Sequence, residues 1–321
     1  MALATVELGR GGPWITRVGL GTAPIGSSSN WRINWGPQDA GDGIRAIHAA
    51  IELGVNWIDT APFYGWGRAE EIVGKAVHDR RDRVLIFTKC GTVRAGQAGE
   101  RENLTPANIR REVEDSLRRL GTDRIDLLQF HDPDPETPIE ESWAEMLALI
   151  RAGKVRYGGL SNHPVELVER TLAVGPVVAH QHQYSLLRRD IERDILPFSR
   201  RRHIGVLAWS PLASGFLVES FDLTSLTHDD FRLRLPFAQE PAWSSIERAR
   251  GALMSVAYQH GKRLEDLAIA WILRQPGMTG AIVGARNQRE AERMVDGVDW
   301  MLTSHDMAAI DDALAEWERS R

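Results

Sequence analysis

The sequence predicts a single α/β domain: a (β/α)8 TIM barrel over residues 1–321, with an N-terminal hairpin and extra C-terminal helices. Three observations predict it. Short apolar runs alternate with stretches whose apolar residues return every three or four positions. About eight such strand–helix units follow one another, the count that closes a parallel barrel. Polar residues gather where the apolar runs end.

The elements follow in order. After a hairpin-like opening, VGLGTAPIG (18–26) reads as a strand running into a glycine-rich loop. Ile44, Ile47 and Ile51 mark one helix face, and Gly54 suits the left-handed position beyond a helix end. A strand at 55–59 and a helix around 68–78 come next. VLIFTK (84–89) is rich in the β-branched and apolar residues that favour strands. Thr105-Pro106 offers an N-cap with proline at the first helical position, Ile109, Val113, Leu117 and Leu120 form the stripe, and Gly121 ends the helix. IDLLQF (125–130) is a strand, and Thr137-Pro138-Ile139-Glu140 has capping-box spacing ahead of a helix with Trp143, Leu147 and Ile150 on its apolar face. The rhythm continues through strand 154–160, helix 164–173, strand 177–181, helix 189–201 and strand 204–209. Residues 210–240 are irregular. Helices near 243–259 and 264–275, a last strand at 280–284, a short helix and a tail helix at 304–318 complete the chain.

An open, doubly wound sheet is the rival architecture. It calls for G-x-G-x-x-G directly after the first strand. Gly19 and Gly21 begin that pattern, but Pro24 takes the third glycine's place and no helix follows at once. The barrel reading is therefore preferred, and no linker or low-complexity tract divides the chain.

Composition narrows the function. The chain has 321 residues, 43% hydrophobic and 26% charged, with net charge −5 and both signs scattered. Binding along a phosphate backbone needs a basic face, so nucleic acid is not an expected partner. One cysteine, Cys90, forbids an intramolecular disulfide. The opening residues lack the layout of a secretory signal, and no uncharged run approaches the roughly 18 residues of a membrane span. A reduced, cytoplasmic protein away from membranes is the expectation. No Cys/His spacing suggests a metal site, so none is expected.

In a barrel the C-terminal strand ends form the active face. There the second strand delivers Asp59, with Tyr64 five positions on, the third Lys89, the fourth His131 and the fifth Ser161-Asn162. Gln181, Ser210, Gly284 and Arg286 follow at the remaining ends. Singly, each would ordinarily cap a loop or sit on a solvated rim. Together they suggest proton transfer to a carbonyl. A phenol with an ordinary pKa near ~10 gives up its proton at neutral pH only if a cation stabilises the phenolate. Lys89 can supply that cation, Asp59 can keep the lysine charged and oriented, and His131 can hydrogen-bond the substrate oxygen. No side chain donates hydride, so a cofactor is required. A metal-dependent barrel hydrolase or isomerase is a rival, but only His131 and Asp59 stand where ligands would be needed.

DTAPFYGWGRAEEIVGKAV (59–77) resembles the signature of the aldo-keto reductase family. TK (88–89), QFHDPD (129–134), GLSNH (159–163), QHQYSLL (181–187), WSPLASG (209–215) and VGAR (283–286) resemble further family blocks in the family's order. The resemblance implies that Asp59, Tyr64, Lys89 and His131 are the catalytic tetrad, with Tyr64 the acid in reduction and the base in oxidation. It implies that Ser161, Asn162 and Gln181 hold the nicotinamide carboxamide. Trp209 matches the aromatic position on the nicotinamide ring, where tyrosine is commoner. Ser210, Leu212 and Gly215 match the pyrophosphate strap, Gly21 and Thr22 the first-strand loop, and Gly284 and Arg286 the adenosine pocket.

Two positions depart from the family pattern: Glu290 stands where glutamine is common, and Met294 where asparagine is. Arg286 suits the 2′-phosphate of NADP, whereas Glu290 repels it or accepts the ribose hydroxyl of NAD. NADP(H) is the favoured expectation and NAD(H) the alternative. Arg232 and Arg234 are further candidate phosphate contacts, although surface arginines are the plainer reading. Trp31, Trp35, Phe63 and Trp66 are expected to wall the substrate pocket, since indole faces stack on sugars and other rings. His163 and His182 read as structural, and Cys90 as packing. The small-molecule substrate is expected to be an aldehyde, a ketone or a sugar. WSPLASG also resembles the potassium-channel β subunits, which keep this barrel but act mainly as partners of a membrane protein. That alternative implies a slow, cofactor-binding partner protein, and the lack of a long N-terminal inactivation-like stretch argues against it. Oligomeric state is not legible in the sequence.

Overall fold

The computed structural model describes residues 3–96 and 99–320; Met1, Ala2, Gln97, Ala98 and Arg321, which the single-domain reading also covers, lie outside the described residues. Eight strands close a parallel barrel: β1 (Val18–Gly21), β2 (Trp57–Asp59), β3 (Leu85–Cys90), β4 (Ile125–Phe130), β5 (Val155–Ser161), β6 (Ala179–Gln183), β7 (Gly205–Trp209) and β8 (Met278–Gly284). They are arranged in chain order around the ring. Closure is made by β8 on β1, from Ala281 opposite Val18 to Gly284 opposite Gly21. Parallel neighbours need crossovers, and helices supply them. These are α1 (Ala40–Glu52), α2 (Arg68–Val77), α3 (Pro106–Leu120), α4 (Ile139–Arg151), α5 (Val165–Val174), α6 (Ile195–Arg202), α7 (Ala242–Gln259) and α8 (Leu264–Arg274), followed by α9 (Gln288–Arg293) and α10 (Ser304–Ser320). The fold class expected from the sequence is the one observed.

The opening hairpin pairs Thr5–Glu7 antiparallel with Trp14–Thr16. Its Leu8 and Ile15 are fully buried against Trp57, Phe87, Leu127 and Leu207, so the hairpin plugs the end of the barrel where the strands begin. The active face is left at the other end.

Period-two alternation then places chemistry above packing. Trp57, Phe87, Leu127, Ala179, Leu207 and Ile282 form an apolar layer in the barrel interior. Two residues further along the same strands stand Asp59, Lys89, Gln129, Gln181, Trp209 and Gly284. Gly19 belongs to the lower layer because the Trp57 ring leans over it: an added Cβ would meet that ring at 2.2 Å. Trp57 is held there by its indole N–H, which donates to the Thr16 carbonyl at 2.9 Å.

Several local expectations differ from what the chain does. Thr105 occupies the N-cap position of α3 ahead of Pro106, but its hydroxyl donates to Asn103 Oδ1 at 2.7 Å and caps no helical N–H. The capping box at Thr137 and Glu140 does not form. Pro138 is the N-cap residue, one later than expected, so Glu140 misses the third helical position and pairs with Arg170, while Thr137 donates to Asp134. The 189–201 helix divides into a 3-10 turn at Asp190–Glu192 and α6. A second small hairpin, Thr92–Arg94 with Glu100–Glu102, follows β3; its short, charged strands gave no periodic signal. Residues 210–240 are irregular as expected, with four short 3-10 turns. Among the described residues no helix is long and apolar enough to cross a membrane.

Candidate active site

The four tetrad candidates converge at the mouth of the barrel. Lys89, at the end of β3, is 1% exposed and uses all three ammonium protons. Its Nζ donates to Asp59 Oδ1 at 2.5 Å, to the Thr60 carbonyl at 3.0 Å and to Tyr64 Oη at 3.1 Å. Because the Tyr64 oxygen accepts from Lys89, its own proton remains free to point elsewhere. The His131 ring lies 5.9 Å from the Tyr64 ring and nearly perpendicular to it. Both side chains are surrounded by protein yet partly accessible, as expected at the floor of a cleft.

Asp59 is the hub. Its Oδ2 accepts from Gln181 Nε2 at 2.9 Å and from Gln129 Nε2 at 3.3 Å, and Gln181 also donates to Gln129 Oε1 at 3.1 Å. Gln129 was not singled out from the sequence. Counting two residues on from Leu127, or two back from His131, would have found it.

Protonation follows from burial and charge. Burial alone would lower the Lys89 pKa, but Asp59 and Tyr64 outweigh it and hold the ammonium above its ordinary value. For Tyr64 the outcome corrects the sequence expectation. Burial raises the phenol, Lys89 lowers it and Asp59 raises it again, and the net direction is up. The lowering by Lys89 is exceeded by burial and partly offset by Asp59, which lies 2.5 Å from the ammonium. Burial, helped by Lys89, drives His131 well below its usual range, so its imidazole is neutral.

The residues matched to the cofactor line the same mouth. Thr22 donates both its N–H and its hydroxyl to the Asp59 carbonyl, joining β1's loop to β2. Ser161 is 1% exposed, and its hydroxyl has no hydrogen-bond partner among the described residues. Asn162, in the left-handed region at φ 59°, donates to the His131 carbonyl and to Asp132 Oδ1, and accepts from the Trp209 indole N–H at 3.0 Å. Ser210, Ala213, Ser214 and Gly215 all have positive φ, and Ser210 Oγ accepts from the Ser214 N–H, so the segment around Leu212 is tightly wound. Gly284 is exposed at the end of β8, close to Pro24.

Arg286 is half-buried and donates to Trp35 O at 2.8 Å and Gln38 Oε1 at 2.9 Å, with a further bond to Pro37 O. It ties the end of β8 to the loop after β1. Glu290 is exposed; it accepts from the Arg286 N–H at 2.9 Å and from Asn287 Nδ2 at 2.8 Å. Met294 is buried in the helix–strand core, so its thioether packs there. Arg232 pairs with Asp230 at 2.7 Å, and Arg234 donates to the Arg32 carbonyl; both brace the long loop.

The four aromatic candidates do come together. Trp31, 2% exposed, lies 5.9 Å from Trp35, 5.4 Å from Phe63 and 6.0 Å from Tyr64 between ring centres. Phe63 also touches His131 and Trp66. Trp66 stands at the edge of the group: Arg94 lies over its ring, and it lines an outer cleft of about 260 Å³ with Arg111 and Arg119. His163 and His182 lie with His180 behind the mouth, joined by His163 O to His180 Nε2 (2.9 Å) and His180 to His182 (2.6 Å). Burial holds His163 and His182 down to about 4. Cys90 is buried, and its thiol is pushed well up by burial and by Glu112.

Known proteins share this arrangement of chain and fold. Residues 17–315 match the model of the Aldo/keto reductase family. The aldo-keto reductase YhdN of Bacillus subtilis is 38% identical over 304 residues, covering 93% of this chain and 90% of that protein. The structure of the glycerol dehydrogenase AKR11B4 from Gluconobacter oxydans superposes with a TM-score of 0.88 at 37% identity, covering 98% and 96% of the two chains. The aldo-keto reductase AKR11C1 from Bacillus halodurans, in its holo form, gives 0.81 at 26% identity, covering 97% and 96%.

A buried ion pair with one partner removed leaves an uncompensated charge, at a cost of about 3–5 kcal/mol. Lys89→Met is expected to destabilise the protein on that scale, and Lys89→Met with Asp59→Asn to recover much of the loss. Urea unfolding of the two single variants and the double variant measures the coupling; simple additivity would show that the pair is not formed.

Proposed function

The chain belongs to the aldo/keto reductase family, and we propose that it moves a hydride between NADP(H) and the carbonyl or alcohol of a small aldehyde, ketone or sugar, with Tyr64 as the proton donor in reduction. The enzyme class, an oxidoreductase using a nicotinamide cofactor, follows from the family. The proton chemistry rests on one observation: Lys89 binds Asp59 and Tyr64 at once, inside protein.

The residues at the mouth suit a nicotinamide. Ser161 offers a buried hydroxyl without a partner among the described residues, the kind of group a carboxamide satisfies. Gln181 and Asn162 stand beside it, Trp209 is the ring surface, Ser210, Leu212 and Gly215 are assigned to the pyrophosphate, Gly21 and Thr22 to the first-strand loop, and Gly284 with Arg286 to the adenosine end. When bound, the nicotinamide supplies or accepts the hydride. The chain supplies the proton. As hydride reaches the carbonyl carbon, the C=O π pair moves onto oxygen and takes the proton from Tyr64 Oη. Lys89 stabilises the phenolate left behind, and His131, neutral, donates a hydrogen bond that orients the carbonyl oxygen. In oxidation the same groups run in reverse. The partly accessible indole of Trp35, backed by the buried rings of Trp31 and Phe63 and with Trp66 at the edge, suits a ring or polyol body. The likeness to a glycerol dehydrogenase supports a small polyhydroxylated substrate.

NADP(H) is assigned because Arg286 can turn its planar fork to a phosphate. NAD(H) is the second reading, favoured by the bonds that already engage the Arg286 guanidinium and by the Glu290 carboxylate beside it. A reduced cytoplasmic setting is proposed from the single cysteine.

Tyr64→Phe is expected to lower reductive kcat by about 10²–10⁴-fold while NADPH affinity changes little. Because the phenol is held above its ordinary value, the donor stays protonated through neutral pH, so the alkaline fall in reductive kcat belongs above about pH 10. Steady-state assays of an aldehyde, ketone and aldose panel check both, and a fully active Tyr64→Phe enzyme would contradict the assignment. Arg286→Ala is expected to weaken NADPH far more than NADH in fluorescence titrations; equal losses would show that Arg286 does not read the phosphate.

A further inference from the structure

Asp132 lies immediately after His131 and plays no part in the proton chemistry above. It is half-buried at the rim of the mouth. Its Oδ1 accepts from Asn162 Nδ2 at 2.8 Å, and Asn162 in turn binds Trp209. Among the described residues Oδ2 has no hydrogen-bond partner. The carboxylate therefore stands between the proton-transfer residues and the assigned nicotinamide face, with one oxygen anchored and one free.

Other carboxyl groups stand around it. From the neighbouring hairpin comes Glu102, whose Oε2 accepts from Thr92 at 3.0 Å. Asp134 follows in the same loop and accepts from the Leu104 N–H and Thr137. The one cation whose charge acts on Asp132, Lys89, is itself paired with Asp59. Burial is the main influence on both groups, and neighbouring charge adds to it at Glu102. Burial raises Glu102 to about 7, with Asp132 and Asp134 adding to the shift; burial likewise raises Asp132 to about 6, against the Asn162 bond and Lys89.

We propose that Asp132 is a specificity-determining carboxylate of this site: its free oxygen accepts hydroxyl groups of polyhydroxylated carbonyl substrates, and its charge, with that of Glu102, turns away carbonyls that carry a carboxylate or phosphate. The inference rests on reading the mouth as the carbonyl site. Chemically, a single half-desolvated carboxylate has both effects. It forms a charge-assisted bond to a hydroxyl and repels a second anion.

Asp132→Asn tests the charge while keeping an oxygen for Asn162. The probes are glyceraldehyde, neutral with two hydroxyls, and succinic semialdehyde, which is anionic. The ratio of kcat/KM for the neutral over the anionic aldehyde is expected to fall by at least roughly tenfold in Asp132→Asn. Glu102→Gln should move it the same way by less. In the unaltered protein the ratio should also narrow as pH falls from about 8 to about 6, where the probe stays anionic, because Asp132 and Glu102 take up protons while Lys89 stays charged and Asp134, held low by its hydrogen bonds, keeps its charge. Quenching of tryptophan emission in the NADP-loaded protein gives the same binding ratio without turnover. An unchanged ratio in Asp132→Asn, by kinetics or by quenching, would overturn the inference. Absence of turnover with every carbonyl, beside a quenching ratio that still responds to Asp132→Asn, would overturn the reductase reading and support the charge selection.

Discussion

The structure depends on one charge placed where water cannot reach it. Lys89 lies within the barrel at 1% exposure, and an isolated ammonium there would give up its proton. It stays charged because Asp59 lies 2.5 Å away and because carbonyl and phenol oxygens take its other two protons. Asp59 in turn is held by Gln129 and Gln181. A pair of this kind contributes little net stability. What it supplies is a cation of defined position beside a phenol, and this is the arrangement that proton transfer to a carbonyl requires.

The barrel makes that placement possible through the two-residue period of its strands. On β2, β3, β4 and β6 an inward apolar residue is followed two positions later by Asp59, Lys89, Gln129 and Gln181. The lower layer excludes water and the upper layer faces the mouth. The opening hairpin seals the other end with Leu8 and Ile15. The same alternation lets helices on the outside bury their stripes without disturbing the polar ring.

Much of this was legible in the chain because period and position are sequence properties. Eight strand–helix units, and the run from Asp59 through Tyr64, Lys89 and His131 at successive strand ends, required only counting. Three-dimensional competition was not legible. The Tyr64 phenol is raised rather than lowered, since the effect of Lys89 is offset by Asp59 and exceeded by burial. Thr137 has the spacing of a cap, yet Pro138 begins the helix one residue later. Arg286 has the chemistry of a phosphate reader, and only coordinates show it bound to Trp35, Pro37 and Gln38. Asp132 lies inside a quoted motif, but its importance comes from Asn162 and Glu102, which are distant in sequence.

The most direct test of the account is the titration of the Tyr64 phenol itself. The chain has four tyrosines, so carbon-13 labelling of the ring, with Tyr64→Phe to assign the signal, can follow this one by NMR. Tyr64 is expected to ionise above the ordinary phenol range of about 10, and to move higher still when Lys89 is replaced by methionine. A Tyr64 signal that titrates identically with and without the lysine would show that the ammonium does not act on the phenol, and the central contact would be wrong.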